Sequence, residues 1–233
     1  MTAGQTFRLE TYRTLQELVY QSLREAILDG RLVPGQRLVA GNLAAELGVS
    51  RMPVREALSR LQQDGFVKAT PHREVVVAGF SERDVVEIYD IRSVLEAHAA
   101  GLCAVHATPG ELEQLRELVG GMQQALEDGD LERVRRLDND FHHTLFNTCG
   151  SGQLAQLLTQ LWDQCLYYRS LAVSLNRNPA RSLEHHQQIV AALERHDHQN
   201  AEKWIHTHTQ VARDTLLDHL RARRKSQEKD REA

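Results

Sequence analysis

Residues 43–67, LAAELGVSRMPVREALSRLQQDGFV, read as two helices joined by a tight turn. Leu43, Ala44 and Leu47 form the apolar side of a short first helix, and Gly48 can take the left-handed conformation that ends it. Ser50 stands where a cap for the second helix is needed. Pro53 falls in that helix's first turn, where a missing N–H has no intrahelical bond to lose. Val54, Ala57, Leu58 and Leu61 then recur at helical spacing on one face. The opposite face carries Arg51, Arg55, Ser59 and Gln62: guanidinium forks suited to guanine edges or phosphates, with shorter polar groups beside them. A solvated basic hairpin would show the same pattern, so the flanking segments decide between the two.

Upstream, Thr14–Glu17 has the form of a capping box. Leu15, Leu18, Val19, Leu23, Ala26 and Ile27 mark one amphipathic face, which Asp29-Gly30 ends. Downstream, residues 66–70 and 74–78 are short β-prone runs joined by Pro71-His72-Arg73. They predict a two-stranded wing, with His72 and Arg73 at a tip that either touches DNA or is a solvated turn.

LVYQSLREAILDGRLVPGQRL followed by LAAELGVSRMPVREALSRLQQDGFV resembles the winged helix-turn-helix of GntR-family transcription regulators, over about residues 14–78. The SR-x-PVREAL-x-RL core, the PG-x-RL segment and the D-G after the second helix carry the resemblance. It implies a homodimer that binds a palindromic operator in double-stranded DNA. The candidate DNA-contacting residues are Ser50, Arg51, Met52, Pro53, Arg55, Ser59, His72 and Arg73. The chain departs from the family at Val39-Ala40-Gly41-Asn42, where acidic and polar residues are usual. It departs again at Met52, where Thr is common, and at Glu74, where Gly is common. These departures bear on which operator is read rather than on how.

A net charge of −4 is unusual for a DNA binder, but it is unevenly spread. Residues 1–80 carry 10 Lys/Arg against 8 Asp/Glu, and residues 81–233 carry 18 against 24. The nucleic-acid surface must therefore be local and doubled by dimerisation. With 41% hydrophobic and 26% charged residues the chain reads as globular. No run approaches the ~18 apolar residues of a membrane span, and no signal-peptide layout opens the chain, so a cytoplasmic location is expected. Cys103, Cys149 and Cys165, widely spaced and odd in number, read as buried free thiols.

The fold class expected is mainly α: residues 1–13 a flexible arm, 14–78 the winged domain, 79–222 an antiparallel six-helix bundle, and 223–233 a charged tail that frays. Eleven of the twelve histidines lie beyond residue 80. In LDNDFHHTLF, Asp138 and His142 lie four apart and flank the inward Phe141, whereas His143 groups with Glu132 and Arg136 outside. In SLEHHQQIVAAL, His186 sits among Leu183, Ile189, Val190 and Leu193, with His185 nearer the rim. In AEKWIHTHTQVA, His208 falls with Ala201, Trp204 and Ile205, while His206 groups with Glu202, Thr209 and Arg213 outside. One carboxylate and three imidazoles thus point inward. A divalent transition metal satisfies all four, with zinc and nickel both suited; a polar cavity filled by water is the alternative.

This half resembles the FCD ligand-binding domain of the FadR-type branch of the same family, on IYDIRSVLE, D-x-x-x-H in LDNDFH, H-x-x-I in HHQQI and the final His of AEKWIHTHT. In metal-binding members the ligands match Asp138, His142, His186 and His208. Arg92 has two readings: an ion pair with Glu96, or a fork for the carboxylate of a small organic acid effector, which the resemblance favours. Arg169, Tyr168 and Asn147 are further candidates for the same cavity. The chain is thus expected to be an effector-responsive transcription regulator, a repressor rather than an enzyme. A regulator that senses the ion itself, or a metal-dependent hydrolase, is the alternative.

Overall fold

The computed structural model describes residues 14–71, 74–79, 81–171 and 179–232; at residues 166, 167, 169–171 and 223–232 it describes the backbone alone. The protein is mainly helical and divides into two compact units at Gly79/Phe80.

The first unit contains α1 (Leu15–Leu28), β1 (Arg37–Leu38), α2 (Ala40–Leu47), α3 (Arg51–Gln63), β2 (Val67–Ala69) and β3 (Val75–Val77). Gly48, at φ 67°, closes α2 in the left-handed conformation and makes the turn into α3. Val54, Ala57, Leu58 and Leu61 bury one face of α3 against Val19, Leu23 and Ile27 of α1. α1 is tied to the C-terminal end of α3 where Tyr20 Oη donates to Asp64 Oδ2 at 2.7 Å and the Arg60 guanidinium lies 3.9 Å from the Tyr20 ring centre.

Three expectations are corrected here. The wing is three-stranded, in the order β1-β3-β2 and antiparallel throughout, because Arg37 and Leu38 pair with Val76 and Val75 on the edge of β3 that β2 leaves open. Leu15 and Leu18 are exposed and Tyr20 is buried in their stead, because α3 covers the face of α1 centred on Val19 and Leu23. Ser50 has the extended backbone of an N-cap, yet its side chain makes no cap bond to α3.

The second unit is built from α4 (Glu82–His106), α5 (Pro109–Glu127), α6 (Leu131–Thr148), α7 (Gly152–Leu171), α8 (Pro179–Glu194) and α9 (His198–Glu232). Ser81 with Asp84, and Thr108 with Glu111, form complete capping boxes at the starts of α4 and α5. The main core gathers Ala99, Cys103, Leu115, Phe141, Leu145, Leu158, Trp162, Ile189, Leu193 and Ile205. A second cluster joins Val85, Ile88 and Tyr89 to Cys165, Leu216 and Leu217.

Two further expectations differ. The last helix does not end with the bundle at residue 222; its backbone continues helical to Glu232, through a run rich in Arg, Lys, Gln and Glu that contains neither Gly nor Pro. The Glu202–His206–Thr209–Arg213 side of α9 does not face solvent. It lies along α4, where Ser93 Oγ meets His206 Nδ1 at 2.6 Å, Thr209 Oγ1 donates to Glu96 Oε2 at 2.6 Å, and Arg213 pairs with Asp90 at 2.7 Å. Gly101 brings α4 close to the Glu202 carboxylate at the end of this seam.

Candidate metal centre and nucleic-acid surface

Asp130 caps α6 by accepting from the Arg133 N–H at 2.9 Å, and the stripe Phe141–Leu145 anchors the helix in the core. That rotation turns Asp138 and His142 to the inside. Ile189, Val190 and Leu193 orient α8, and Ala201 and Ile205 orient α9, so His186 and His208 turn to the same point. One ligand atom from each of Asp138, His142, His186 and His208 lies within 4.8 Å of the others, and all four residues are buried. His142 Nε2 stands 3.2 Å from His208 Nε2 and 3.4 Å from His186 Nε2, and His186 Nε2 stands 3.6 Å from Asp138 Oδ1.

These donors are of the kind that could hold a cation. Burial first, then the neighbouring His208, holds the pKa of His142 well below its ordinary value, against the opposing pull of Asp138. The neutral imidazole that results is the metal-binding form. Three Nε2 atoms turned to one point beside a carboxylate match the donors that a single cation takes. Ligand nitrogens around a tetrahedral zinc, each about 2.0–2.1 Å from the ion, stand about 3.3 Å apart, which is the spacing found between these imidazoles. An N₃O set fits zinc and nickel alike.

Around the cluster stand groups that the amino-acid pattern did not reveal. Trp162 of α7 stacks on His142, with centroids 4.1 Å apart and planes 29° apart, and its Nε1–H donates to Asn139 Oδ1 at 2.7 Å. The spacing Ala155, Leu158, Trp162, Cys165 is the helical stripe that could have located it. His185 is buried rather than at the rim: its ring lies 5.9 Å from that of His208 and 5.8 Å from that of Trp204, and its Nδ1 has no hydrogen-bond partner among the described residues.

Of the two readings of Arg92, the ion pair is formed: Nε and Nη2 reach Glu96 Oε1 at 2.8 and 2.7 Å. The guanidinium lies 4.6 Å from the Trp162 ring and 4.8 Å from Tyr89, buried, with Cys165 beside it. Asn147 is exposed and does not join the site. Five residues beyond His142 it is turned about 140° around α6 from that ligand. Tyr168 packs on the second cluster beside Tyr89 and Cys165. The Arg169 side chain lies outside the described residues.

On α3, Arg51, Met52, Arg55 and Ser59 are exposed along one side, preceded by exposed Ser50; Met52 is 66% exposed. Pro53 is corrected: it is buried, because it shares the inward stripe of Ala57 and Leu61 at four-residue steps. His72 and Arg73 lie outside the described residues. Among the described residues no helix is long and apolar enough to cross a membrane.

Residues 15–77 match the family described as bacterial regulatory proteins, gntR family, and residues 87–211 match the FCD domain. The chain is 35% identical to the HTH-type transcriptional regulator McbR of Escherichia coli K12, over 79% of its own length and 83% of that protein's. The solved structure of E. coli McbR/YncC superposes with a TM-score of 0.74 at 30% identity, covering 89% of this chain and 99% of that one. A transcriptional regulator from Rhodococcus sp. RHA1, described as a putative GntR, gives a TM-score of 0.70 at 26% identity over 87% and 97%.

Proposed function

Because this chain belongs to the GntR family of bacterial regulatory proteins and carries an FCD domain, we propose that it is an effector-responsive repressor: a homodimer that holds a palindromic operator through α3 and senses a small carboxylate at a metal centre in the helical domain. The observation that carries the reading is the convergence of Asp138, His142, His186 and His208 in the same chain as an exposed groove-reading helix. The ion supplies a Lewis-acid point for one carboxylate oxygen of the effector. Arg92, with a guanidinium edge that Glu96 does not occupy, supplies a contact for the acid. On DNA, Arg51 and Arg55 reach guanine edges or phosphates, with Met52 and Ser59 beside them.

The outer side of α4 supports the dimer. Ile91 (51%), Val94 (67%) and Val105 (64%) are exposed, with Leu102 half-buried on the same side. The stripe is symmetric about exposed His98: Ile91 and Val105 lie seven residues to either side of it, Val94 and Leu102 four. A patch of that kind complements its own copy across a two-fold axis, which is what a closed dimer requires.

The effector acts through its different affinity for the DNA-holding and DNA-releasing arrangements of that dimer. Gel-shift titration of zinc-loaded protein on its own promoter region, across a panel of mono-, di- and tricarboxylates, tests the reading. One acid weakening operator binding is the expected result, and Arg92→Met/Glu96→Met, which removes both charges of the buried pair, abolishes the response while leaving DNA affinity intact. No acid changing the affinity would remove the effector. Metal-dependent binding without any acid would make the ion itself the signal.

A further inference from the structure

We propose that Trp162 is a positioning residue of the metal centre: its indole sets the plane of His142 and so the affinity for the ion. This rests on the metal reading above. Trp162 is almost wholly buried and is fixed on several sides. Its Nε1–H donates to Asn139 Oδ1 at 2.7 Å, and Asn139 belongs to α6, the helix that carries both Asp138 and His142. The ring of Phe146, one turn beyond His142, meets the indole edge-on with centroids 6.0 Å apart. The Arg92 guanidinium lies 4.6 Å from the same ring. Held in this way, the indole stacks at 4.1 Å on the imidazole of His142.

The need for such a plate follows from the other nitrogen of that ring. His142 Nδ1 is buried and has no hydrogen-bond partner among the described residues, so none of them supplies the carboxylate or carbonyl that ordinarily orients a metal-bound imidazole. The imidazole is left to turn about its side-chain bonds unless a flat surface holds it, and the indole face supplies that surface. His142 Nε2 stays aimed at His186 and His208 only in this plane.

Cobalt(II) is the probe. In the full-length protein, Trp162→Leu lowers cobalt affinity roughly tenfold or more, the loss common when an orienting neighbour of a ligand is removed. It also shifts the visible ligand-field bands. Trp162→Phe, which keeps a flat ring, retains most of the affinity. Asn139→Ala frees the indole without emptying its pocket and weakens cobalt in the same direction, so the result does not depend on whether the leucine variant folds. In Trp204→Phe protein, where Trp162 is the sole tryptophan, cobalt quenches the emission. Wild-type affinity and an unshifted spectrum in both Trp162→Leu and Asn139→Ala would overturn the proposal and leave the metal centre standing. No cobalt uptake by the wild-type protein would overturn both.

Discussion

The Nε2 atoms of His142 and His208 approach to 3.2 Å across α6 and α9, residues separated by 66 positions in the chain. Two imidazole nitrogens at that distance hold either a shared proton or a shared cation. With His186 Nε2 3.4 Å from His142 Nε2, a cation would satisfy all three. Zinc at a hundredfold excess over its dissociation constant should therefore stabilise the protein by about 2.7 kcal/mol. Differential scanning fluorimetry of chelator-stripped protein, with and without zinc, reads this as a rise in Tm. His208→Ala should abolish the rise, and a variant that keeps it would remove His208 from the donor set.

Arg92 and Glu96 are a buried pair, with Thr209 bonded to the second carboxylate oxygen. Glu96→Met leaves the guanidinium without its counter-charge and should cost about 3–5 kcal/mol. The double variant Arg92→Met/Glu96→Met removes both charges, and Thr209 keeps its bond to the Ile205 carbonyl. It should recover most of that loss in urea unfolding. Equal destabilisation in single and double variants would mean that packing, not the unpaired charge, dominates.

Gly101 sits mid-helix in α4, where a glycine normally weakens a helix by about 1 kcal/mol relative to alanine. A Cβ there would strike the Glu202 carboxylate, the end of a flexible side chain. Gly101→Ala alone should be close to neutral. In a Glu202→Ala background the same change should stabilise, by about 0.5–1 kcal/mol. Thermal melts of the four proteins separate the two contributions.

Val94, among the most exposed apolar side chains of the helical domain, lies on the symmetric stripe of α4. Val94→Asp should yield a monomer by analytical ultracentrifugation and weaken operator binding at least tenfold, since one recognition helix then acts alone. A dimer unaffected by Val94→Asp combined with Ile91→Asp would move the interface elsewhere.

The cap of α5 carries a pH signature. Hydrogen bonds from the Thr108 hydroxyl and backbone N–H hold the Glu111 carboxyl below its ordinary value. Its contribution is complete above the unfolded pKa of about 4.3 and is lost as pH falls through the lower folded value. Thr108→Ala should cost about 1 kcal/mol near neutrality and flatten the acid limb of the stability profile.

Much of this protein is written locally. Gly48 in the left-handed region, Pro109 after Thr108, and Asp130 ahead of α6 act within a few residues, so the helix starts and the turn into α3 follow from neighbouring positions alone. The convergence of the four side chains was legible for a related reason. Asp138 and His142 share a face by their four-residue step, and His186 and His208 travel with apolar stripes that can only turn inward. Periodicity gives a side chain's direction about its own axis; it does not say what covers the other faces. Packing of α4 along α9 decided that Thr209 and His206 are inside, and α7 decided that an indole lies on His142. The open edge of β3 drew in Arg37 and Leu38 to make a third strand. Those outcomes depend on groups brought together from distant parts of the chain, where burial and shape, rather than sequence spacing, choose the partner.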